Sequence, residues 1–162
     1  MKQLNWAVLG TGVIANEMAQ ALQKQGKSLY SVGNRTYEKA VAFGEQYGIS
    51  KVYTDFQQIF TDPEVDAIYI TTPHNTHREF MEMAIENGKH ILVEKSITLN
   101  SKELDEMIHL ADKKGVVIAE AMTIYHMPIY QKLKEIIQSG KIGKVNLITM
   151  NFGSLKEYDM KN

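Results

Sequence analysis

The chain has 162 residues, and 44% of them are hydrophobic, so its length and composition suit an ordinary globular fold with a packed core. Its 18 basic and 19 acidic residues leave a net charge of −1, which argues against broad contact with nucleic acid or an anionic membrane. The sequence has no Cys, and this excludes disulfides, thiolate metal sites and thiol catalysis.

A glycine-rich turn follows the first predicted strand, residues 5–9, almost at the start of the chain. The turn reads Gly10-Thr11-Gly12 and continues to Ala15 in the spacing G-x-G-x-x-A, and a helical pattern over 13–25 begins inside it. This order of strand, turn and helix is the dinucleotide-binding fingerprint in its required context, and an ordinary tight turn is the alternative.

Each residue type in this turn has a physical task. Gly10 can adopt the dihedral angles of a tight strand-to-helix turn, and Gly12 lacks a Cβ, so that the backbone can approach a pyrophosphate closely. Ala15 is small enough for the helix to pack closely on the strand. The free N–H groups of the first helical turn, at Val13 and Ile14, would hold the phosphates together with the positive end of the helix dipole.

The remaining sequence as far as residue 120 alternates strand and helix patterns. Nearly continuous apolar strands indicate a parallel sheet that is covered on both faces, and right-handed crossovers make it a doubly wound α/β sheet of the Rossmann type. In such sheets, ligands bind beyond the carboxyl ends of the strands. The further strands are predicted at 28–33, 51–53, 66–71, 89–94 and 116–120, and the further helices at 36–47, 55–60, 76–87 and 101–114.

Capping signals mark the ends of these helices. Thr54 precedes Gln57 by three residues, and Asn100 precedes Glu103 by the same spacing, so both pairs predict a capping box at a helix start. Glycine is the commonest residue just after a helix. Four glycines stand where helices are predicted to end: Gly26, Gly48, Gly88 and Gly115.

The pattern changes after residue 120. A polar and aromatic loop leads to a predicted helix near 129–139, and residues 144–152 alternate apolar and polar side chains as a β-strand does. A single alternating strand cannot bury its apolar face alone. We therefore predict a dinucleotide-binding domain over 1–120 and, over 121–162, only a linker helix and the first strand of a second α/β domain, so that the chain ends just inside that domain.

The end of the second strand should carry the residue that reads the adenosine ribose, about 20 residues after the glycines. An acidic residue there favours NAD, but the sequence has Asn34-Arg35-Thr36. The guanidinium of Arg35 fits a 2′-phosphate, and Asn34 and Thr36 can add hydrogen bonds. We therefore predict NADP in preference to NAD. The alternative is that Arg35 is a solvated loop residue and that Thr36 only caps the next helix.

The loop after the fourth strand runs from Thr71 to His77 and contains two possible metal ligands, His74 and His77. No carboxylate or third ligand lies at a useful spacing, so we predict no metal site, because neutral His also serves in helix caps and cofactor loops. Pro73 stiffens this loop and cannot continue the strand.

Lys95 follows the fifth strand and is the candidate catalytic residue. A Lys at the carboxyl end of a strand can act as a general acid or base, or can hold a substrate hydroxyl, beside a bound nicotinamide. An ordinary surface ion pair between Glu94 and Lys95 is the alternative.

Several separate motifs occur in order along the chain. They are Gly10-Thr11-Gly12 with Ala15, Asn34-Arg35-Thr36, residues 66–70 with Thr72-Pro73-His74 and His77, residues 88–95, and Glu120-Ala121-Met122. Together they resemble the glucose–fructose oxidoreductase/inositol dehydrogenase (Gfo/Idh/MocA) family over essentially the whole chain, and residues 120–128 are most similar to its dihydrodiol and xylose dehydrogenase branch. The resemblance implies NAD(P)-dependent oxidation of a secondary alcohol on a sugar, cyclitol or diol, or the reverse reduction.

The resemblance also implies roles for single residues. Lys95 would be the catalytic lysine of the family's Glu-Lys-Pro motif, and Glu94 would help to position the lysine and the cofactor. Met122 would lie near the nicotinamide. The loop after the fourth strand would line the path from adenosine to nicotinamide at Thr71, Thr72 and His74, with Pro73 between them and His77 at the start of the next helix.

Two features depart from the family pattern. Ser96 stands where the family usually has Pro, commonly after a cis peptide that aims the lysine into the site. A cis bond costs about 2.5–4 kcal/mol before a non-proline residue and about 0.5–1 kcal/mol before Pro. Either the bond is trans and Lys95 points differently, or packing holds a cis bond. Family members also continue into a C-terminal domain that supplies most substrate contacts and the usual oligomer interface.

Two classes of function stay open. The first is an oxidoreductase that acts on a small polyol-like or sugar-like substrate, homo-oligomeric when full length, with no nucleic acid or membrane partner. The second is a sensor or pseudoenzyme that binds a nicotinamide dinucleotide without turnover. A hydrolase or epimerase that uses the nicotinamide transiently is a third option. No apolar run approaches the roughly 20 residues of a membrane span, and residues 1–6 lack a signal-peptide core, so we expect a cytoplasmic protein.

Overall fold

The computed structural model of this protein describes residues 4–151 and 153. In that part, strands and helices alternate as far as residue 120 in the predicted order. The strands are β1 (Trp6–Leu9), β2 (Ser31–Gly33), β3 (Lys51–Val52), β4 (Ala67–Ile70), β5 (His90–Val93) and β6 (Ile118–Glu120). The helices are α1 (Val13–Gln23), α2 (Tyr37–Tyr47), α3 (Gln58–Thr61), α4 (His77–Glu86), α5 (Ser101–Lys114) and α6 (Pro128–Gln138), with 3-10 turns at His74–Thr76 and Thr123–His126.

The strands form one parallel sheet in the order β3-β2-β1-β4-β5-β6. The chain crosses from one half of the sheet to the other between β3 and β4, which is the switch point of a doubly wound fold. Leu9, Gly33, Ile70, Val93 and Glu120 are in register at the carboxyl ends of their strands. The predicted Rossmann-type sheet is confirmed, and the loops after these strands open at one edge of it.

Apolar side chains cover both faces of the sheet. On one face, α3, α4 and α5 contribute buried side chains that include Phe60, Met81 and Met107. On the other face, α1 and α2 contribute Ala15 and Phe43. Full burial of a side chain such as Phe60 contributes about 1.5–3 kcal/mol. Ala15 is wholly buried, so its small side chain lets α1 lie close to the sheet, as the spacing of the glycine-rich turn predicts.

Helix boundaries follow the predicted signals with one exception. Asn100 caps α5, because its side-chain oxygen accepts a hydrogen bond from the Glu103 N–H (3.0 Å). The predicted box at Thr54 is wrong, because α3 begins at Gln58 with Gln57 as its N-cap. The Asp55 carboxylate accepts the Gln57 N–H (3.0 Å), and this local turn delays the helix. The four glycines predicted after helices all have left-handed φ angles: Gly26, Gly48, Gly88 and Gly115.

A buried carboxylate, Asp62, ties the end of α3 to β3. It accepts hydrogen bonds from the Tyr53 hydroxyl (2.5 Å) and the Glu64 N–H (3.0 Å), and it forms an ion pair with Lys51 (2.6 Å). Burial alone would raise the pKa of Asp62, but the hydrogen bonds from Lys51, Tyr53 and the Glu64 N–H outweigh it and hold the pKa below its usual value. The fold therefore stabilises the ionised form.

The Asp62→Asn variant is expected to lose about 2 kcal/mol of unfolding free energy at pH 7, because hydrogen bonds to a buried charged group are lost. The folded-state pKa of Asp62 lies below its unfolded value of about 3.9, so the wild-type advantage is complete above that pH and disappears as the pH falls through the folded pKa. Urea unfolding across this range measures the difference. Asp105→Asn, which changes an exposed carboxylate, is the control. If the wild type remained more stable than Asp62→Asn below the folded pKa, the prediction would be contradicted.

The chain divides into two compact units, one ending at Met122 and the other beginning at Thr123. In the second unit, α6 begins at Pro128, a favoured first helical residue, and exposes Ile129 and Leu133. The strand predicted at 144–152 is wrong for residues 144–151, which form no regular structure, and residue 152 lies outside the described part. A strand needs a neighbouring strand for its backbone hydrogen bonds, and the described part of this unit supplies none.

No helix in the described part of the chain is long and apolar enough to cross a membrane. The assignment of residues 121–162 to the beginning of a second domain stays a prediction.

Candidate functional site

A cleft of about 430 Å³ opens at the carboxyl ends of β1, β2 and β4. It lies where a doubly wound sheet binds its ligands. The predicted cofactor residues that it brings together are Gly10, Thr11, Gly12, Asn34, Arg35, Thr36, Thr71, Thr72 and Pro73. The other lining residues were not among the predicted site residues: Leu9, Lys39, Phe56, Asn75, Thr76 and Phe80.

The glycine-rich turn has the geometry that its sequence predicts. Gly10 has a φ of 105°, and its N–H donates to the Gly33 carbonyl (2.9 Å). A Cβ at Gly10 would lie 2.6 Å from the Thr71 hydroxyl oxygen, whereas a Cβ at Gly12 would meet nothing within 4 Å among the described residues. Gly10 is therefore required by the fold itself, and Gly12 leaves the entrance to α1 open to a ligand.

The N-terminus of α1 is held rigidly but left uncapped. The Asn16 side-chain amide donates to the Gly12 carbonyl (2.8 Å), and the Tyr47 hydroxyl donates to the Asn16 oxygen (2.7 Å). No side chain in the described part of the chain caps the helix, and its first turn carries no acidic residue. The N–H groups at Val13 and Ile14 and the positive end of the dipole thus fit an anionic phosphate, and the open cradle at the turn fits a dinucleotide.

Arg35 supplies positive charge at the end of the cleft that lies after β2. Its side chain is exposed and has no hydrogen bond or ion pair within the described residues. Asn34 donates to the Thr36 carbonyl (2.9 Å), which shapes the turn. Lys39, four residues after Arg35 in the first turn of α2, lines the same cleft. Arg35 lies before α2, so no helical spacing relates the two residues, and the turn between β2 and α2 brings both to the cleft.

The loop after β4 forms the wall of the cleft on the other side of β1 from Arg35. The Thr71 hydroxyl donates to the Leu9 carbonyl (3.0 Å), and the Thr76 hydroxyl contacts the Thr72 hydroxyl (2.8 Å), so the loop is fastened to β1 and within itself. Behind it, the His77 ring is wholly buried at the start of α4. His74 is exposed and, like His77, does not line the cleft.

Lys95 lies two residues after the end of β5 at Val93, and its exposed side chain has no hydrogen bond or ion pair in the described part of the chain. Its neighbour Glu94 accepts a hydrogen bond from the Tyr69 hydroxyl (2.5 Å) and forms no ion pair with Lys95. Burial, together with the bond to Glu94, raises the pKa of Tyr69, so the phenol stays protonated and donates. The Lys95–Ser96 peptide is cis, the second of the two geometries that the sequence left open.

Some predicted cofactor residues lie outside the cleft itself. Val13 and Ile14 begin α1 just beyond Gly12, and Val13 is exposed. Glu94 and Lys95 follow β5, and Met122 follows β6, so all three lie at the same edge of the sheet as the cleft. The fold therefore gathers every predicted site residue at or behind one edge, although their contacts with a cofactor stay predictions.

The comparisons with known proteins agree with this arrangement. Residues 4–122 match the model of the oxidoreductase family with an NAD-binding Rossmann fold. The chain belongs to this family, Gfo/Idh/MocA, and the resemblance seen in its motifs is confirmed.

Individual relatives agree with the predicted branch. The chain is 32% identical to trans-1,2-dihydrobenzene-1,2-diol dehydrogenase of Xenopus laevis, over 92% of this chain and 46% of that protein. It is 31% identical to scyllo-inositol 2-dehydrogenase (NADP(+)) of Bacillus subtilis (strain 168), over 92% of this chain and 45% of that protein. A crystal structure of a probable dehydrogenase from Thermotoga maritima has a TM-score of 0.80 at 30% identity, over 87% of this chain and 43% of that one. The chain thus spans about half the length of the curated relatives that it matches.

Proposed function

We propose that this chain is the cofactor-binding part of an NAD(P)-dependent oxidoreductase that acts on a secondary alcohol, or the corresponding carbonyl, of a sugar, cyclitol or diol. The observation that carries the proposal is the position of Lys95, an exposed lysine with no partner among the described residues, at the sheet edge where the glycine-rich cleft opens. Relatives named for a diol and an inositol support this class of substrate.

In the proposed reaction, some residues of the chain bind the cofactor and Lys95 transfers the proton. Gly10 and Gly12 let the backbone approach the pyrophosphate, and the N–H groups at the start of α1 hold the phosphates. A bound nicotinamide cofactor supplies the hydride donor or acceptor. The Lys95 Nζ holds the substrate hydroxyl and accepts or returns its proton. Glu94, held by Tyr69, fixes the backbone on which Lys95 is carried.

NADP is proposed as the preferred cofactor, with NAD as the alternative. Arg35 and Lys39 are both exposed in the cleft without partners in the described residues, and the end of β2 offers no carboxylate for a ribose hydroxyl. A guanidinium beside an ammonium suits the doubly charged 2′-phosphate. A relative that is named for NADP(+) supports the same choice.

The Arg35→Ala variant is expected to weaken NADPH binding about 10–100-fold and to change NADH binding by less than about 3-fold, because only NADPH carries the 2′-phosphate. Parallel titrations with the two cofactors, followed by thermal shift, measure the ratio of their affinities. Arg78→Ala is the matched control, since it removes the same group from an exposed ion pair with Glu106 on α5. An unchanged ratio in Arg35→Ala would refute the role of Arg35, and no shift with either cofactor in the wild-type chain would refute cofactor binding.

The activity of the whole protein requires a separate assay. We propose that the full-length protein is a cytoplasmic homo-oligomer, in keeping with the absence of Cys from these 162 residues and with the resemblance described above. Full-length protein that forms NADPH with members of a panel of polyols, sugars and diols would support the oxidoreductase. Tight cofactor binding with no turnover across the panel would favour the sensor instead.

A further inference from the structure

Glu120 has no role in the site described so far, although it belongs to a motif that marks the family branch. It is the last residue of β6 and is in register with Val93, the last residue of β5. Its side-chain Oε1 accepts a hydrogen bond from the backbone N–H of Ile97 (3.0 Å), two residues after Lys95. Glu120 is half-buried, so this bond is shielded from water on at least one side.

A second contact holds the same segment. The His77 Nδ1 lies 2.8 Å from the Ser96 carbonyl oxygen, and its Nε2 lies 2.9 Å from the Thr72 carbonyl oxygen. The wholly buried ring of His77 thus joins the segment after Lys95 to the wall of the dinucleotide cleft. Side chains from β6 and α4 therefore hold two consecutive residues, Ser96 and Ile97.

The segment is also fastened from the other face of the sheet. On the face of the sheet that α1 and α2 cover, Tyr69 is buried and its hydroxyl donates a hydrogen bond to Glu94. On the face that α4 and α5 cover, Val93 and Ile97 pack in the apolar core. Lys95 itself has no partner within the described residues, so nothing except its backbone fixes where its ammonium group lies. The contacts on either side of Lys95 therefore determine its position.

We propose that Glu120 is a positioning residue for Lys95: its carboxylate anchors the Ile97 N–H and so sets the place of the Lys95 ammonium against the bound cofactor. The inference rests on the proposed function. A glutamine at 120 keeps a side-chain oxygen that can accept the same hydrogen bond, whereas an alanine leaves the Ile97 N–H without its partner. The hydrogen bond, rather than the negative charge, is the feature that matters.

Three variants of the same chain test the proposal: Glu120→Ala, Glu120→Gln and Glu82→Ala. The last is the matched control, because it removes an exposed carboxylate from α4 that makes no hydrogen bond or ion pair in the described part. Thermal shift with NADPH gives the cofactor affinity of each protein. Trace acetylation followed by peptide mass spectrometry then gives the protection of Lys95 by saturating NADPH, with the exposed Lys102 as the internal reference. Amide hydrogen exchange at Ile97, measured without cofactor, reports whether the hydrogen bond from its N–H to Glu120 is formed.

Bound NADPH is expected to slow acetylation of Lys95 about 10-fold in the wild type, Glu120→Gln and Glu82→Ala, and less than about 2-fold in Glu120→Ala. NADPH affinity should stay within about 3-fold in all four proteins, because Glu120 does not line the cleft. Exchange at Ile97 should be about 10-fold faster in Glu120→Ala alone.

The outcomes separate this inference from the proposed function. A wild-type chain that binds neither NADPH nor NADH would overturn the proposed function and the inference with it. Normal binding with equal protection of Lys95 in the wild type and Glu120→Ala would overturn the inference alone. A loss of protection in Glu120→Gln as large as that in Glu120→Ala would also overturn it, because the hydrogen bond would then not be the cause.

Discussion

Replacement of Gly10 by Ala is expected to lower the free energy of unfolding by about 3 kcal/mol. The φ angle of 105° is one that a residue with a Cβ rarely adopts, and the added Cβ would lie 2.6 Å from the Thr71 hydroxyl oxygen and 3.2 Å from the Thr71 carbonyl oxygen. The hydroxyl cannot turn away freely, because it donates to the Leu9 carbonyl (3.0 Å). Urea unfolding of the two proteins measures the loss.

Gly12→Ala is the matched control, and we expect it to keep its stability but to lose affinity for NADPH. Its φ of −75° suits any residue and its Cβ would meet no atom of the described residues within 4 Å, so stability should change by less than about 1 kcal/mol. NADPH affinity should nevertheless fall at least about 100-fold, because the Cβ would stand where the pyrophosphate approaches the backbone. A stable Gly10→Ala protein, or a Gly12→Ala protein with normal affinity, would contradict the roles that we assign to the two glycines.

The order of strands and helices could be predicted because its signals are local in the sequence. Apolar strands, the glycines at 48 and 115 and the cap at Asn100 each act within a few residues of their own position. The parallel sheet then places the ends of β1, β2, β4, β5 and β6 at one edge, whatever the details of the side chains. The sequence could therefore predict which loops form the cleft.

The errors and omissions lie where structure depends on distant partners. The alternating pattern after residue 143 predicted a strand, but a strand also needs a neighbour, and a pattern within one segment cannot supply it. Glu120 was missed because its bond to Ile97 spans 23 residues and arises only when β5 and β6 lie side by side. Lys39 was missed because it lies on α2, whereas the dinucleotide fingerprint predicts the ribose-binding residue at the end of β2.

The buried ring of His77 contacts both the loop after β4 and the segment after Lys95. The sequence did not reveal these contacts, since a histidine at a helix start is usually interpreted as a cap or a loop residue. Its two nitrogens face the carbonyl oxygens of Thr72 and Ser96. A neutral imidazole can donate to one of these carbonyls, and the doubly protonated ring can donate to both. The ring therefore donates to at least one of the two carbonyls and lies in contact with both, between the wall of the cleft and the segment that carries Lys95.

His77→Ala is expected to lower the free energy of unfolding by about 3 kcal/mol, because it leaves a cavity and removes a hydrogen-bond donor from buried carbonyls. His77→Phe refills most of the cavity without restoring a donor, so a loss of about 2 kcal/mol should remain. His109→Ala, at an exposed position on α5, is the control and should change stability by less than about 0.5 kcal/mol. Urea unfolding of the three variants separates the contribution of packing in the cavity from the contribution of the hydrogen bond. If His77→Phe were as stable as the wild type, packing alone would account for the burial of the ring, and the hydrogen-bonded link between cleft and lysine would be refuted.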